Sequence, residues 1–275
     1  MPTPVEKAAV FKALHQGPEV LVLGNPWDAG SARILTALGY AALSTTSAGL
    51  AFTLGKRDGT ASVTRDEALA NARAIVEATP LPVAADLENG YGHAPEAAAE
   101  TIRLAAEEGL VGGSIEDATG DAAHPIYEFD HAVERVAAAA ETAHALGFPF
   151  MFVARAENYL HGRADLDDTI RRLQAYEAAG AEVLYAPGIT SPEDIRTVCA
   201  SVRKPVNVLM GIKGATRLSV KELGALGVRR ISVGSGFSRA ALTAFLHAAR
   251  EVHDDGTFTF ADEALYMSDI TKMFG

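Results

Sequence analysis

The sequence predicts an α/β fold, a (β/α)8 TIM-type barrel with an extra C-terminal helical segment. Eight short apolar runs alternate with alanine-rich amphipathic stretches along the 275 residues. The apolar runs are hydrophobic on both faces, which is typical of parallel strands covered by helices. No break in composition divides the chain, so we expect one domain over residues 1–275.

The order of elements follows from this alternation. The predicted strands are Val20–Gly24, Ala41–Thr45, Val83–Asp86, Gly113–Glu116, Phe150–Arg155, Val183–Tyr185, Pro205–Val208 and Arg230–Val233. The predicted helices are Ser31–Leu38, Arg65–Ala78, Pro95–Glu108, Phe129–Leu146, Leu166–Ala179, Pro192–Ser201, Val220–Leu226 and Gly236–Arg250. Glycine follows several of these helices, where its left-handed conformation ends a helix at little cost.

A doubly wound open sheet is the alternative arrangement of the same elements. We favour the barrel because the chain has no Gly-rich dinucleotide or phosphate-loop fingerprint. The segment 257–275 follows the eighth predicted helix and is rich in apolar residues. Such an apolar segment is expected to pack on the barrel, or on a neighbouring subunit with which it is swapped.

Composition and charge exclude several classes of protein. A chain that is 48% hydrophobic and 21% charged suits a globular protein with a large core. The net charge of −11 argues against nucleic acid as a partner, although one arginine and a metal can still attract a small acid. Cys199 is the only cysteine, which excludes an internal disulfide and a cysteine zinc cluster. We find no membrane-length apolar run and no basic-then-apolar leader, and we expect a cytoplasmic protein.

Carboxylates stand at the ends of the third and fourth predicted strands, the side of a barrel that carries catalysis. Asp86, Glu88 and Glu116 occupy these positions. Acids near a core need a cation, and oxygen ligands from several strand ends suit Mg²⁺, with Mn²⁺ as a possible substitute. We predict that the three acids bind Mg²⁺, which would act as a Lewis acid on a 2-oxo acid. Each acid taken alone is more often a helix cap.

Other strand ends offer groups that can bind the substrate. The small residues of Thr45–Gly49 allow backbone N–H groups to approach an anion, as in an oxyanion hole. Arg155 can hold a carboxylate through two parallel hydrogen bonds, although a structural ion pair is the simpler interpretation of a lone arginine. The predicted substrate-binding residues are Thr46, Ser47, Ala48, Gly49, Arg155, Tyr185 and Asn207.

Two polar loops extend beyond the strand ends. Asp58 lies in the glycine-bounded segment Leu54–Gly59 and could join the site when that loop closes. The small and polar segment Ala118–Tyr127 has the composition of a lid, in which His124 is a candidate acid or base. A solvated turn and a surface histidine are the simpler interpretations of these two residues.

The motifs, taken in order, resemble those of the isocitrate lyase / phosphoenolpyruvate mutase superfamily. They are the small-residue turn, Leu-Gly-x-x-Asp, Asp-x-Glu-x-Gly-Tyr-Gly, Gly-x-x-Ile-Glu-Asp and Val-Ala-Arg-x-Glu, and the likeness spans residues 20–240. The resemblance implies an α/β barrel, Mg²⁺, and a small 2-oxo acid whose C–C or P–C bond is made or broken beside an enolate held on the metal. It also implies a homotetramer, a dimer of dimers in which the C-terminal helix swaps between barrels.

The resemblance implies more definite roles for the predicted residues. Asp86 would bind the metal directly, with Glu88 and Glu116 acting mainly through water. Four groups would surround the oxo acid: Ser47 and its neighbours, Arg155, Asn207 and, on its loop, Asp58.

The chain departs from the superfamily pattern in three loops, and Glu88 stands where the second metal-site residue is usually an aspartate. Isocitrate and methylisocitrate lyases have a Lys-Lys-Cys-Gly-His loop, where this chain has Gly120-Asp121-Ala122-Ala123-His124. Those lyases place a glutamate after the sixth strand, where this chain has Tyr185-Ala186-Pro187-Gly188. The Pro-Lys-containing loop of the mutases and phosphonopyruvate hydrolases is also missing. These differences argue against a standard isocitrate or methylisocitrate lyase and weaken the phosphorus alternatives.

The sequence therefore favours a Mg²⁺-dependent carbon–carbon lyase acting on a small 2-oxo acid, or on a 2-hydroxy acid that yields one. Asp58, Arg155 and His124 are the predicted catalytic residues, and either Asp58 or His124 would supply the proton. A mutase or hydrolase of the phosphonopyruvate or phosphoenolpyruvate type is the enzymatic alternative. A barrel that binds a 2-oxo acid without catalysis is the alternative from another class.

Overall fold

Eight parallel strands form the centre of the protein in the computed structural model, which describes residues 1–214 and 217–274. Hydrogen bonds connect the strands in the order β1-β8-β7-β6-β5-β4-β3-β2. A parallel bridge between Gly24 and Leu43 joins the two ends of this order. The sheet thus curls into a barrel, and the predicted α/β barrel is confirmed. The strands are β1 (Leu21–Val22), β2 (Leu43–Ser44), β3 (Val83–Asp86), β4 (Gly112–Glu116), β5 (Met151–Arg155), β6 (Val183–Tyr185), β7 (Val206–Leu209) and β8 (Arg230–Ser232).

Helices alternate with the strands around this barrel. The α-helices are α1 (Pro4–Gln16), α2 (Ala29–Ala37), α3 (Ser47–Thr53), α4 (Arg65–Ala78), α5 (Pro95–Glu107), α6 (Phe129–Ala145), α7 (Leu166–Ala178), α8 (Pro192–Ser201), α9 (Val220–Ala225), α10 (Gly236–Arg250) and α11 (Met267–Met273). A π-helical turn (Glu251–Asp255) and a 3-10 turn (Thr259–Asp262) connect α10 to α11. The eight predicted helices correspond to α2 and α4–α10, with ends that differ by two residues at most.

Two helices were not predicted. Helix α1 begins with a reciprocal capping box between Thr3 and Glu6, and it buries Phe11 against Leu21 and Met151 at the amino end of the barrel. The segment expected to be a small-residue turn is instead the start of α3, where Thr46 Oγ1 accepts a hydrogen bond from Gly49 N at 3.3 Å. Strands β1 and β2 are also shorter than predicted.

The alternation of side chains along β3 positions the site. Val83 and Ala85 face outward and pack in the large core between the sheet and the helices. Ala84 packs in the cluster inside the barrel, so Asp86, two residues later, also lies on the interior side. The carboxylate therefore emerges inside the barrel at its carboxyl end.

Helix α10 presents an uncovered apolar surface. Ser238 is its buried residue, whereas Leu242, Phe245 and Leu246 are exposed, and Phe245 is 70% exposed.

The C-terminal segment contacts the barrel near its end, where Arg33 of α2 donates a hydrogen bond to Phe274 O at 2.5 Å. No described helix is long and apolar enough to cross a bilayer.

Candidate active site

A cavity of about 160 Å³ opens inside the barrel at the carboxyl ends of the strands. The structure brings most of the predicted catalytic and substrate-binding residues together in its lining. Those residues are Thr46, Ser47, Ala48, Asp58, Asp86, Arg155, Tyr185 and Asn207. Gly49 lies in the first turn of α3, where a Cβ would be 2.6 Å from Thr46 Cγ2 and 2.8 Å from Trp27 Cβ. Glycine at this position lets α3 approach the barrel closely.

Arg155, on β5, holds three carboxylates in place. Its Nη1 lies 2.8 Å from Asp86 Oδ1, its Nη2 lies 3.2 Å from Glu116 Oε2, and its Nε lies 2.8 Å from Glu157 Oε1. The guanidinium carbon also lies 5.1 Å from the centre of the Tyr185 ring, within the range of a cation–π contact. All three nitrogen positions are thus engaged, because the acids at neighbouring strand ends converge on one cation.

Asp86 connects β3 to the start of α3. Its Oδ2 accepts hydrogen bonds from Ser47 Oγ at 2.7 Å and from Ser47 N at 3.2 Å. Its own N–H donates to Thr45 Oγ1 at 3.0 Å. Both carboxylate oxygens of Asp86 therefore have partners, Ser47 on one side and Arg155 on the other, which fixes the orientation of the group.

The carboxyl groups around Arg155 outnumber the positive charges available to them. Burial, followed by the charges of Asp86 and Asp58, raises the pKa of Glu88 to about 7. Burial also raises the pKa of Glu116 well above its usual value, although Arg155 opposes the shift. The pKa of Asp58 rises as well, through burial and the charge of Asp86. The three pKa values rise for a common physical reason, because these carboxylates are buried close to one another and Arg155 alone does not neutralise their charge.

The loop after β3 holds Glu88 in an unusual backbone conformation. Glu88 has φ +47° and Tyr91 has φ +58°, in the left-handed region that side chains other than glycine rarely adopt. Between them Gly90 has φ +80°, and a Cβ there would lie 2.9 Å from Ala98 Cα. Conformations of this kind persist where the surrounding structure holds them, often at functional sites. Glu88 faces a neighbouring cavity of about 470 Å³, which Tyr91 also lines.

A buried network behind Arg155 was missed in the sequence. Asp117 Oδ1 accepts from Glu157 N at 2.8 Å, and Asp117 Oδ2 accepts from Tyr176 OH at 2.6 Å and from Arg172 Nη1 at 3.1 Å. Asp117 thereby fixes the backbone that carries Glu157. In the sequence, only position could have indicated these two residues, because Asp117 directly follows Glu116 and Glu157 lies two residues after Arg155.

His124 does not lie in the lining of the barrel cavity. Its side chain is 85% exposed, and its Nδ1 lies 3.4 Å from Asp121 Oδ2 on the 118–127 loop. A catalytic role for His124 would require movement of this loop and stays a prediction.

The donor chemistry of the acids suits a magnesium ion. Asp86, Glu88 and Glu116 offer carboxylate oxygens, the ligands that Mg²⁺ prefers, in a cluster short of positive charge. Within residues 1–214 and 217–274, no three His, Cys, Asp or Glu side chains are already arranged as a metal-binding group. The carboxylates of Asp86 and Glu116 both contact Arg155, which explains why they do not already face a common metal position.

The family model for phosphoenolpyruvate phosphomutase matches residues 11–253, which contain all the cavity and acid-cluster residues described above. The chain belongs to the phosphoenolpyruvate phosphomutase family. The superfamily resemblance inferred from the motifs is thereby confirmed, and so is the prediction that the chain is an enzyme.

Relatives within this superfamily support the same assignment. A solved structure from Burkholderia cenocepacia J2315, described as a candidate lyase/mutase, is 56% identical, has a TM-score of 0.95, and is matched over 99% of this chain and 96% of that chain. The structure of 2,3-dimethylmalate lyase is 26% identical with a TM-score of 0.87, over 100% of this chain and 96% of that chain. An oxaloacetate decarboxylase of Bradyrhizobium sp. BTAi1 is 29% identical over 82% of this chain and 76% of its own length.

Proposed function

We propose that the protein is a Mg²⁺-dependent carbon–carbon lyase acting on a small 2-oxo acid, or on a 2-hydroxy acid that yields one. The observation that carries this proposal is the placement of Asp86. Its two oxygens are held by Ser47 and Arg155 at the wall of the barrel cavity, within a cluster of acids that is short of positive charge. Such a cluster suits a divalent cation and an anionic ligand that binds beside it.

Asp86, Glu88 and Glu116 would hold the ion, directly or through water, and Mn²⁺ could replace Mg²⁺ because it takes the same oxygen donors. The bound ion would supply positive charge and Lewis acidity next to the carboxylate and oxo groups of the substrate. This role explains why so many acids are buried at one end of the barrel, since buried carboxylates need a counter-charge.

The remaining residues of the cavity would bind and orient the substrate. Ser47 presents a hydroxyl and a backbone N–H in the first turn of α3, and both can donate to an anionic oxygen. Arg155 supplies a guanidinium beside the same position and can donate to a carboxylate. Asp58 also lines the cavity. Because its pKa is raised, this carboxyl group takes up a proton more readily than an ordinary aspartate, and it would donate that proton to the carbon left after cleavage.

The named relatives favour carbon–carbon chemistry. One is an oxaloacetate decarboxylase and another is a 2,3-dimethylmalate lyase, so both are named for small dicarboxylic acids, and decarboxylation breaks a C–C bond. A phosphoenolpyruvate or phosphonopyruvate mutase or hydrolase is the second candidate, which the name of the matching family favours. Turnover of phosphonopyruvate followed by ³¹P NMR distinguishes it from the lyase.

A homotetramer is the assembly that we propose. The exposed apolar residues of α10, together with Phe258, Tyr266 and Met267 in the segment that follows, would be covered by a second copy of the chain. A swap of the C-terminal helix between barrels would provide this cover.

Calorimetric titration with oxalate, a mimic of the enolate of pyruvate, tests the proposal most directly. We expect oxalate to bind with Mg²⁺ present and to bind weakly or not at all in EDTA. Magnesium-dependent binding would justify a screen of 2-oxo acids for turnover, and a protein that binds them without forming product would be the non-catalytic alternative. Absence of oxalate binding under both conditions would contradict the lyase proposal.

A further inference from the structure

Arg230 is a buried arginine at the wall of the same cavity. It lies at the start of β8, is 4% exposed, and pairs in register with Asn207 of β7, which also lines the cavity. Ser232, two residues later on the same strand, lines the cavity too, so Arg230 lies deeper on the same interior face. Burial lowers the pKa of Arg230 to about 10, which leaves it charged at neutral pH.

No carboxylate neutralises this charge among the described residues. The polar contact of the Arg230 guanidinium is with His15 Nε2, 3.4 Å from Nη1, and its Nε has no hydrogen-bond partner. Burying an unpaired charge in this way is costly unless an anion compensates it.

The other buried arginines show that this situation is unusual. Arg155 has three acidic partners and Arg172 has two. Arg135 has no carboxylate partner among the described residues, but its guanidinium donates to backbone carbonyls, including those of Gly92 and His93. Arg230 therefore stands apart as a buried guanidinium with neither kind of partner within the part of the chain that the structure describes.

The barrel interior leaves space between Arg230 and the acid cluster. Strands β2 and β4 contribute the small side chains of Ser44 and Ser114 to the cavity wall, and β8 contributes Ser232 above Arg230. A ligand whose oxo-acid end lies beside Asp86 and Arg155 can therefore extend into the barrel, toward Arg230. A second anionic group at that end would supply the missing counter-charge.

We propose that Arg230 binds the second carboxylate of the substrate from the floor of the cavity and so selects dicarboxylic over monocarboxylic acids. The inference rests on the proposed function, because it takes the oxo-acid end to bind at Asp86 and Arg155. Arg230 is the specificity-determining residue in this arrangement, and the acid cluster binds the end that both kinds of acid share.

Calorimetric titrations with Mg²⁺ and three ligands test this assignment. Malate and 2-hydroxybutanoate differ only at the far end, where a carboxylate replaces a methyl group, and oxalate supplies only the end that binds at the acid cluster. We expect the wild-type protein to bind malate at least about tenfold more tightly than 2-hydroxybutanoate, because malate gains one charge-assisted hydrogen bond with Arg230. Arg230→Met should abolish that preference and leave oxalate affinity unchanged. Arg229→Met is the matched control, because the neighbouring Arg229 is exposed and donates to Pro18 O.

Thermal melting separates recognition from a purely structural role. Arg230→Met removes an uncompensated buried charge and should melt at the same temperature as the wild type or higher, whereas a structural arginine would lower it. Equal wild-type affinity for malate and 2-hydroxybutanoate would overturn the assignment without any variant, as would a preference that survives in Arg230→Met. If oxalate fails to bind the wild type, the proposed function fails and this inference falls with it. If oxalate binds and the malate preference is absent, the inference alone fails.

Discussion

Arg155 Nη1 donates to Asp86 Oδ1 at 2.8 Å, so the charged group expected to bind substrate also holds the carboxylate expected to bind metal. Ser47 Oγ occupies the other oxygen of Asp86 at 2.7 Å. A cation that binds Asp86 would therefore weaken its contacts with Ser47 and Arg155 and make these donors available to an anionic ligand, so we expect the two to bind cooperatively. The coupling of these two contacts makes Asp86 the most informative residue to change.

Asp86→Asn should abolish magnesium-dependent oxalate binding while preserving the fold. The amide has nearly the shape of the carboxylate but lacks its charge, so both the metal and the contact with Arg155 are weakened. We expect a loss of affinity of about 100-fold or more, since removal of an outer-shell partner alone costs up to that amount. Asp167→Asn, at an exposed position of α7, is the matched control in the same titration. Unchanged oxalate affinity in Asp86→Asn would place the metal elsewhere.

Strand periodicity made much of this site predictable. Asp86, Glu116 and Arg155 each end a strand that is apolar on both faces, and parallel strand ends meet at one edge of a barrel. The same alternation separates Arg229 from Arg230, since successive side chains of a strand point to opposite faces. Sequence alone cannot show that Arg230, the buried arginine of this pair, lacks an acidic partner in the described part of the chain, because that depends on distant residues.

Other features depend on contacts that leave no local pattern. Asp117 and Tyr176 are 59 residues apart, and nothing near either one indicates their hydrogen bond. Helix α3 has seven residues, Ser-Ala-Gly-Leu-Ala-Phe-Thr, which is too short for a helical period to stand out from a turn. Helix α1 buries Lys7 and His15 beside Phe11. Because its buried face includes these polar residues, the sequence shows no apolar stripe that would predict a helix.

Tyr176→Phe tests the network that supports Glu157. The change removes the hydroxyl that donates to Asp117 Oδ2 at 2.6 Å and leaves a buried acceptor short of one partner. The free energy of unfolding should fall by about 1–3 kcal/mol. Urea unfolding measures this difference, with Tyr40→Phe as the control, because its hydroxyl makes no hydrogen bond among the described residues. Equal losses in both variants would show that the Asp117 contact adds little.

Gly49→Ala tests the close approach of α3 to the barrel. The added Cβ would lie 2.6 Å from Thr46 Cγ2 and 2.8 Å from Trp27 Cβ, so the helix must shift. We expect a loss of about 1–3 kcal/mol in unfolding free energy, the usual cost of overpacking, together with weaker oxalate binding as Ser47 moves. Gly147→Ala is the control, since nothing lies within 4 Å of its added Cβ. A Gly49→Ala protein as stable as Gly147→Ala would mean that α3 adjusts freely.

Phe245→Glu tests the proposed assembly. Phe245 is 70% exposed on α10, next to the exposed Leu242 and Leu246. A charge at the centre of an apolar interface cannot be buried without a partner, so the variant should elute as a smaller species in size-exclusion chromatography with light scattering. Lys221→Gln on α9, exposed and outside this surface, controls for the same change of one unit in net charge. A wild-type protein that is monomeric would rule out the tetramer without the variant.

His15 is buried in its neutral form, so it should lower the free energy of unfolding as pH drops from 7 to 5, opposite to Glu88, whose raised pKa makes the native state take up a proton over the same range. The Nδ1 of His15 donates to Phe11 O at 2.8 Å, and its Nε2 faces the Arg230 guanidinium. Burial, with the positive charge of Arg230, lowers the pKa of His15 to about 4, although Phe11 O and the charge of Glu182 act in the opposite direction.

The sign of this effect follows from proton binding. Below the unfolded-state pKa of about 6.5, the unfolded chain binds a proton at His15 that the native state does not, so acid favours unfolding. The resulting loss is about 2 kcal/mol at pH 5, and stability is regained as pH rises above 6.5. Urea unfolding at pH 7 and at pH 5 measures it as a difference between two proteins, since over this range the wild type should lose about 2 kcal/mol relative to His15→Gln. His253→Gln, at an exposed position, should keep the wild-type slope. A wild-type slope in His15→Gln would assign the acid sensitivity to other groups.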